Sequence, residues 1–286
     1  MVLRILRLLG RIPLAWLHHL GGALGWLVYW MSPTYSRRLR ENLLASGIGS
    51  DEARRTTLLR EAIAEAGKGA AEILAVWFGP DESVARLVVE SEGWDVIEAA
   101  HARGKGVMIL TPHLGCFEVV GTYVGERLPM TVLYRPPKQP WLEPYMNAGR
   151  RRVGSKLAPT TLKGVRMLYR ALLRGETVGL LPDQAPGEGE GVWANFFGRP
   201  AYTMTLVRRL QAASGAALIM TFAQRLPQSR GYRMHAQELS PAGFDEAALN
   251  RAVEDTVRRC PAQYLWGYDR YKVPAHAEAP PGKDEG

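Results

Sequence analysis

Apolar and polar positions along the chain alternate between short strand-like runs and longer helical ones. Six runs read as strands, at residues 84–90, 107–111, 130–135, 177–182, 216–224 and 231–239. They are short and rich in Val, Ile, Leu or aromatic residues, as buried strands are. Between most of them lie helical patterns at 93–103, 115–127, 141–152, 161–174, 203–214 and 245–259. Strand and helix in repeated alternation predict an α/β domain with a mostly parallel central sheet and helices on both faces. A longer helix over 51–78 precedes the alternation. Ser50 caps it, Asp51 and Glu52 fill its first turn, and Gly79-Pro80 stops it.

The amino terminus departs from this rhythm. Ile12 to Met31 is a run of twenty residues without a formal charge. As a helix it would extend about 30 Å, the thickness of a bilayer core. Trp26, Tyr29 and Trp30 crowd one end, as an interfacial belt requires. The run therefore predicts an N-terminal hydrophobic membrane helix within an anchor of residues 1–40. An in-plane helix and a buried soluble helix are the alternatives. Three Arg precede the run and three follow it, so charge gives no orientation. MSPTYS offers no small-x-small cleavage site. Gly21 and Gly25 form a G-x-x-x-G that is too weak to argue dimerisation. The predicted organisation is an anchor over 1–40, a catalytic α/β domain over 41–274 and a flexible tail over 275–286.

Charge narrows the partners. The net charge is +8, and its placement matters more than its size. Residues 1–40 carry six Arg and no acid, and residues 144–175 carry eight basic residues and no acid. Two acid-free blocks favour an anionic partner. Helix-turn-helix, zinc-finger and RNP-type cues are all missing, so nucleic acid is not the expected one. The two cysteines, Cys116 and Cys260, form neither a disulfide framework nor a zinc spacing. Neither a metal nor another cofactor is expected.

In a parallel sheet, ligands bind at the carboxyl ends of the strands. Three strand-like runs place a chemically capable residue there: His113 after VMILT, Arg135 after MTVLY and Asp183 after TVGLL. They predict a shared cleft. The sharpest motif is His113-Leu-Gly-Cys-Phe-Glu118. Histidine is the usual base for a hydroxyl proton near neutral pH, and a carboxylate can steady its imidazolium. On one regular helix, five residues turn through about 500° and leave the two side chains roughly 140° apart. They can meet only if His113 sits in the turn before the helix, a break that Pro112 suits. Cys116 is an alternative nucleophile. Arg150, Arg151 and Arg152 could grip phosphate or a developing oxyanion. Asp183 could orient one of these Arg or bind a substrate hydroxyl. The loop Gly187–Gly191 is expected to be a flap, and Asn195–Gly198 to return apolar bulk to the cleft.

These residues carry a resemblance. TPHLGCFE (111–118), YRPPKQPWLEP (134–144), GRRRVGS (149–155), LKG (162–164), LLPDQAPGEGEGVWANFFGRPAYTMT (180–205) and QYLWGYDRYK (263–272) occur in this order. The chain resembles the late, lauroyl/myristoyl acyltransferases of lipid A biosynthesis, within the lysophospholipid acyltransferase-like superfamily. The resemblance implies a bacterial inner-membrane enzyme with its catalytic domain on the cytoplasmic face. It implies an acyl carrier protein thioester as donor and a phosphorylated glycolipid hydroxyl as acceptor. By motif match His113 and Glu118 form the catalytic dyad, and Arg150 or Arg152, with Asp183, serves the substrate. Asp269 is a departure, because such proteins usually carry a basic residue there.

Overall fold

The computed structural model describes residues 2–80, 84–137, 139–150, 154–187, 189–275, 277 and 280. Five helices come first: α1 (Val2–Leu9), α2 (Leu14–Met31), α3 (Pro33–Ala45), α4 (Glu52–Ala71) and α5 (Ile73–Phe78). The α/β part then runs β1 (Val88–Glu92), α6 (Trp94–Ala102), β2 (Val107–Leu110), α7 (Phe117–Gly125), β3 (Met130–Tyr134), α8 (Glu143–Arg150), β4 (Lys156–Pro159), α9 (Leu162–Leu173) and β5 (Thr177–Leu180). A hairpin follows, β6 (Gly191–Phe196) and β7 (Arg199–Met204), and then α10 (Leu206–Ser214), β8 (Ala217–Arg225), β9 (Tyr232–Leu239) and α11 (Glu246–Arg259).

The main sheet has the order β1-β9-β8-β2-β5-β3-β4. Only the β8–β9 pairing is antiparallel. The mostly parallel sheet predicted by the alternation is therefore present, with β1 and β9 running opposite to the rest. Period-2 alternation divides the side chains between two cores. Met108 and Leu110 of β2 join α3, α4, α9, α10 and α11 on one face. Val107 and Ile109 join α5, α6 and α7 on the other. Helices thus cover both faces.

The membrane-spanning expectation is corrected. Among the described residues no helix is long and apolar enough to cross a membrane. The two His and three Gly within α2 lower its hydropathy, and one stripe of it is spent on protein. Leu17, His18, Gly21 and Gly25 are buried, and α2 lies along α4. A Cβ on Gly25 would stand 2.2 Å from the Ile63 carbonyl oxygen, and one on Gly67 would stand 2.0 Å from that of Gly21. The G-x-x-x-G therefore serves a close crossing inside this chain, where the backbones approach too nearly for any larger residue. The other side of α1 and α2 leaves Leu3, Ile5, Leu8, Trp16, Leu20, Leu24, Leu27 and Trp30 exposed.

Two further expectations change. Residues 191–204 form a hairpin that the sequence reading did not include, its second strand taking in 203–204, the expected start of a helix. Its two-residue turn places Phe197 (φ 47°) and Gly198 (φ 74°) in the left-handed region, as a type I′ turn demands. Phe196 and Phe197 do not line a cleft; both are buried in the main core, and Phe197 packs on Trp266 at 5.7 Å between ring centroids. The segment around Asp269 is a strap. Asp269 pairs with Arg38 of α3 at 2.6 Å. Arg270 is buried and donates to the Tyr202 carbonyl (2.7 Å) and the Thr203 hydroxyl (2.9 Å) of β7. Most of the tail, 275–286, lies outside the described residues.

Candidate active site

β2, β5 and β3 are neighbours and parallel, so the residues that follow them emerge side by side at one end of the sheet. This topology brings His113 and Asp183 together. Beyond β2, Thr111-Pro112 leads into a tight turn, and α7 begins only at Phe117. His113 therefore sits before the helix, as the spacing required.

The turn is fastened on both sides. The Gly115 N–H donates to the Gln263 carbonyl at 3.0 Å, that of Cys116 to Ala223 at 2.8 Å, and that of Leu265 to His113 at 3.0 Å. The Arg225 guanidinium donates to the Gly115 carbonyl at 2.8 Å. Gly115 has φ 59°, and a Cβ there would stand 2.0 Å from the Ala223 oxygen. Only glycine fits, because the loop lies directly on β8.

The carboxylate that braces His113 is Asp183. Its Oδ1 accepts from His113 Nδ1 at 2.8 Å, and its Oδ2 accepts from the His113 backbone N–H at 2.9 Å. Asp183 is 3% exposed. Burial alone would raise its pKa. The charge of His113 and these hydrogen bonds outweigh burial and hold the carboxyl below the usual carboxylate range. An ionised carboxylate only accepts, so the proton between the two rides on Nδ1, and in the neutral imidazole the lone pair is that of Nε2. Nε2 meets the Gln184 amide nitrogen at 3.1 Å. Tyr264 lies behind the pair. Its own burial comes first, followed by the charge of Asp183, and together they push the phenol well above its ordinary pKa.

Glu118 has other partners. It accepts from Trp77 Nε1 at 3.0 Å and from Arg150 Nε at 3.2 Å, while Arg150 Nη2 donates to its second oxygen. The expectation that Glu118 braces the imidazole is thus corrected, because both of its oxygens face α5 and α8. Among the described residues Asp183 forms no ion pair with an arginine, one of the two roles the sequence suggested; it holds the histidine. Arg150 is held in a bidentate grip, and its guanidinium lies 5.4 Å from the Trp77 ring centroid. Arg135 follows β3 at the same end of the sheet and is exposed. Arg151 and Arg152 lie outside the described residues. Trp77 and Gln184 were not singled out from sequence. Gln184 follows Asp183 directly, which was the available signal; Trp77 offered none.

Cys116 is unsuited to nucleophilic work. It is 2% exposed, and burial first, then the negative charge of Glu72, drive its thiol pKa well above the ordinary value. No metal-binding group of His, Cys, Asp and Glu occurs among the described residues.

Beneath Glu118 and Arg150 a small open cavity of about 60 Å³ runs between α7 and the sheet. Phe117, Met130, Val132, Leu133 and Leu180 supply much of its wall. The Phe117 ring also neighbours that of His113, with centroids 4.8 Å apart.

Fold and site together define a class: an α/β protein with a histidine held by a buried carboxylate at the carboxyl ends of its parallel strands. Comparison with known proteins makes the class particular. The sequence profile of the bacterial lipid A biosynthesis acyltransferase family matches residues 1–273, and the chain belongs to that family. It is an acyltransferase of lipid A biosynthesis. The lipid A biosynthesis palmitoleoyltransferase of Escherichia coli (strain K12) is 30% identical over 247 residues, or 84% of this chain and 75% of that protein. The lipid A biosynthesis lauroyltransferase of the same organism is 29% identical over 277 residues, or 94% of this chain and 89% of that protein.

Proposed function

We propose that the chain moves a fatty acyl group from an acyl carrier protein thioester to a hydroxyl of a phosphorylated lipid A precursor, with His113 as general base. The observation that carries this reading is the His113–Asp183 hydrogen bond at 2.8 Å, made by a histidine whose ring lies 4.8 Å from that of Phe117 in the cavity wall. The acceptor hydroxyl displaces the Gln184 amide from Nε2. Its oxygen attacks the thioester carbonyl while its proton passes to Nε2. Asp183 stabilises the imidazolium that forms. The tetrahedral oxyanion collapses, the C–S bond breaks, and the departing thiolate takes the proton from Nε2. Arg150, aimed by Glu118 and Trp77, stabilises the oxyanion or holds an acceptor phosphate. Glu118 is then a positioning residue and His113 the catalytic one.

The same reading places the enzyme on the cytoplasmic face of the inner membrane. The exposed apolar side of α1 and α2 rests in the headgroup region, and Arg4, Arg7 and Arg11 meet anionic lipid. The cleft then receives lipid without drawing its chains through water. Incubating purified protein with acyl carrier protein thioester and a panel of lipid A, glycerolipid and aminolipid acceptors tests the reading, with products followed by mass. A lipid A precursor gaining one secondary acyl chain is expected. Acylation of a glycerolipid alone would redirect the reading, and no acylation of any acceptor would remove it.

A further inference from the structure

The His113 ring is held on both edges by consecutive residues. Asp183 accepts from Nδ1 at 2.8 Å, and the side-chain amide of Gln184 meets Nε2 at 3.1 Å. With the proton on Nδ1, the neutral ring presents its lone pair at Nε2, so the amide nitrogen donates there. Among the described residues the Gln184 side chain makes no other hydrogen bond. Its backbone is fixed on either side. Asp183 is tied to the histidine, and the Ala185 N–H donates to the Tyr268 hydroxyl at 3.1 Å. Asp183 and Ala185 are buried, while Gln184 is half-buried. A fixed backbone thus carries a side chain whose polar tie is to the nitrogen that would act as base.

That contact cannot persist through acyl transfer. An acceptor hydroxyl needs the same lone pair, so the amide must give up its place when the hydroxyl arrives. It then lies beside the attacking oxygen with its N–H groups unspent. In the tetrahedral intermediate the attacking oxygen and the oxyanion share one carbon, so a donor displaced by the first is within reach of the second. A neutral amide suits this place. A cation there would oppose the imidazolium that forms next to it, and a carboxylate would repel the oxyanion.

We infer that Gln184 is a catalytic residue with two successive partners. In the resting protein it covers His113 Nε2, and during transfer it donates to the thioester oxyanion. The acceptor oxygen forms the C–O bond, its proton passes to Nε2, and the carbonyl electron pair moves onto the oxygen that the amide then faces. As that pair returns, the C–S bond breaks, the thiolate leaves with the proton, and the amide goes back to Nε2. This contribution is separate from that of Arg150, whose guanidinium is held on Glu118. The inference rests on the acyl-transfer reading above for its reaction and on the 3.1 Å contact for its residue.

Gln184→Leu and Gln184→Glu in the full chain test this. Leucine removes the donor, so kcat should fall about 10²-fold, the scale of one lost oxyanion donor. Binding of the lipid A precursor, measured without thioester, should tighten by roughly threefold to tenfold, because no amide hydrogen bond has to be displaced. A side chain that only supported the fold would weaken binding as it lowered kcat. Gln184→Glu keeps the size and loses the donation. Its kcat should fall at least as far, and it carries the test if the leucine variant does not fold. Near wild-type kcat in either folded variant overturns the oxyanion role, and acceptor binding that is unchanged or weaker in Gln184→Leu overturns the exchange of partners; either result overturns the inference. Diethyl pyrocarbonate, which reacts at a free imidazole nitrogen, is applied in parallel and the modification of His113 followed by peptide mass. It should proceed several-fold faster in Gln184→Leu. If the wild type acylates no acceptor, the acyl-transfer reading falls and takes the oxyanion role with it, while faster modification of the variant upholds the resting contact. Equal modification of His113 in wild type and Gln184→Leu shows that the amide does not cover Nε2 and overturns the inference by itself.

Discussion

At the residue scale, the site separates two jobs between two carboxylates. Asp183 holds the imidazole, and Glu118 holds a guanidinium. Glu118 and Arg150 therefore act as one unit, and their losses should not add. Glu118→Gln and Arg150→Met should each lower transfer about 10²-fold, the scale of losing one aimed transition-state donor. The double variant should be little worse than either single one in a steady-state assay. Losses that multiply in the double variant would show that Glu118 works independently of Arg150. The sequence pointed to His113 and Asp183 as strand-end residues, but not to their contact. That contact depends on β5 lying next to β2, and strand order leaves no mark in local periodicity. The H-x-x-x-x-E spacing suggested a nearer partner that faces elsewhere.

At the scale of elements, the loop carrying His113 is steadied by a buried ion pair between the helical layer and the sheet. Glu72, at the α4–α5 joint, accepts from Arg225 Nη2 at 2.7 Å and Nε at 2.8 Å. It also accepts from the Tyr232 hydroxyl at 2.9 Å. The same Arg225 donates to Gly115 O beside the histidine. Burial of Glu72 works against its charge, but Arg225 and His18 outweigh burial and hold its pKa at about 2. A depressed carboxyl pKa stabilises the fold above the unfolded value, roughly 4.3, and the contribution disappears as pH falls through the folded value. Thermal scans should therefore show stability declining from about pH 4 towards pH 2 in the wild type, with a weaker decline in Glu72→Gln. At neutral pH that variant should be less stable by about 3 kcal/mol, because a buried guanidinium loses its charge partner. A neutral-pH stability equal to wild type would remove Glu72 from this role. The apolar period revealed the helix before the sheet, but as one element over 51–78 capped by Ser50, whereas Asp51 caps α4 and the helix breaks at Glu72. β4 reads Lys-Leu-Ala-Pro, without the β-branched and aromatic residues that mark a strand, and the β6–β7 hairpin turns on Phe-Gly rather than the Asn-Gly or Asp-Gly cue. Both were hidden for those reasons.

At the scale of the whole molecule, the amino-terminal helices have one face on protein and one face bare. Twenty uncharged residues suggested a span, since length and hydropathy cannot reveal that Gly21 and Gly25 meet Gly67. The bare apolar side of α1 and α2, edged with Arg, fits a lipid surface in the membrane plane. The protein should float with vesicles containing anionic lipid and stay down with neutral ones at moderate salt. Replacing Trp16, Leu20 and Leu24 with Ser should reduce flotation about tenfold or more, as loss of that apolar area implies. Undiminished flotation would assign membrane contact to another surface. The reach of the account from cleft to membrane still depends on one proton transfer. Its most direct test is the transfer rate of folded His113→Ala and Asp183→Asn, measured with saturating donor and acceptor. The account predicts losses of about 10²–10⁴-fold in both, the usual contribution of a positioned base and its tautomer-fixing partner. Turnover near wild type in either variant would contradict it.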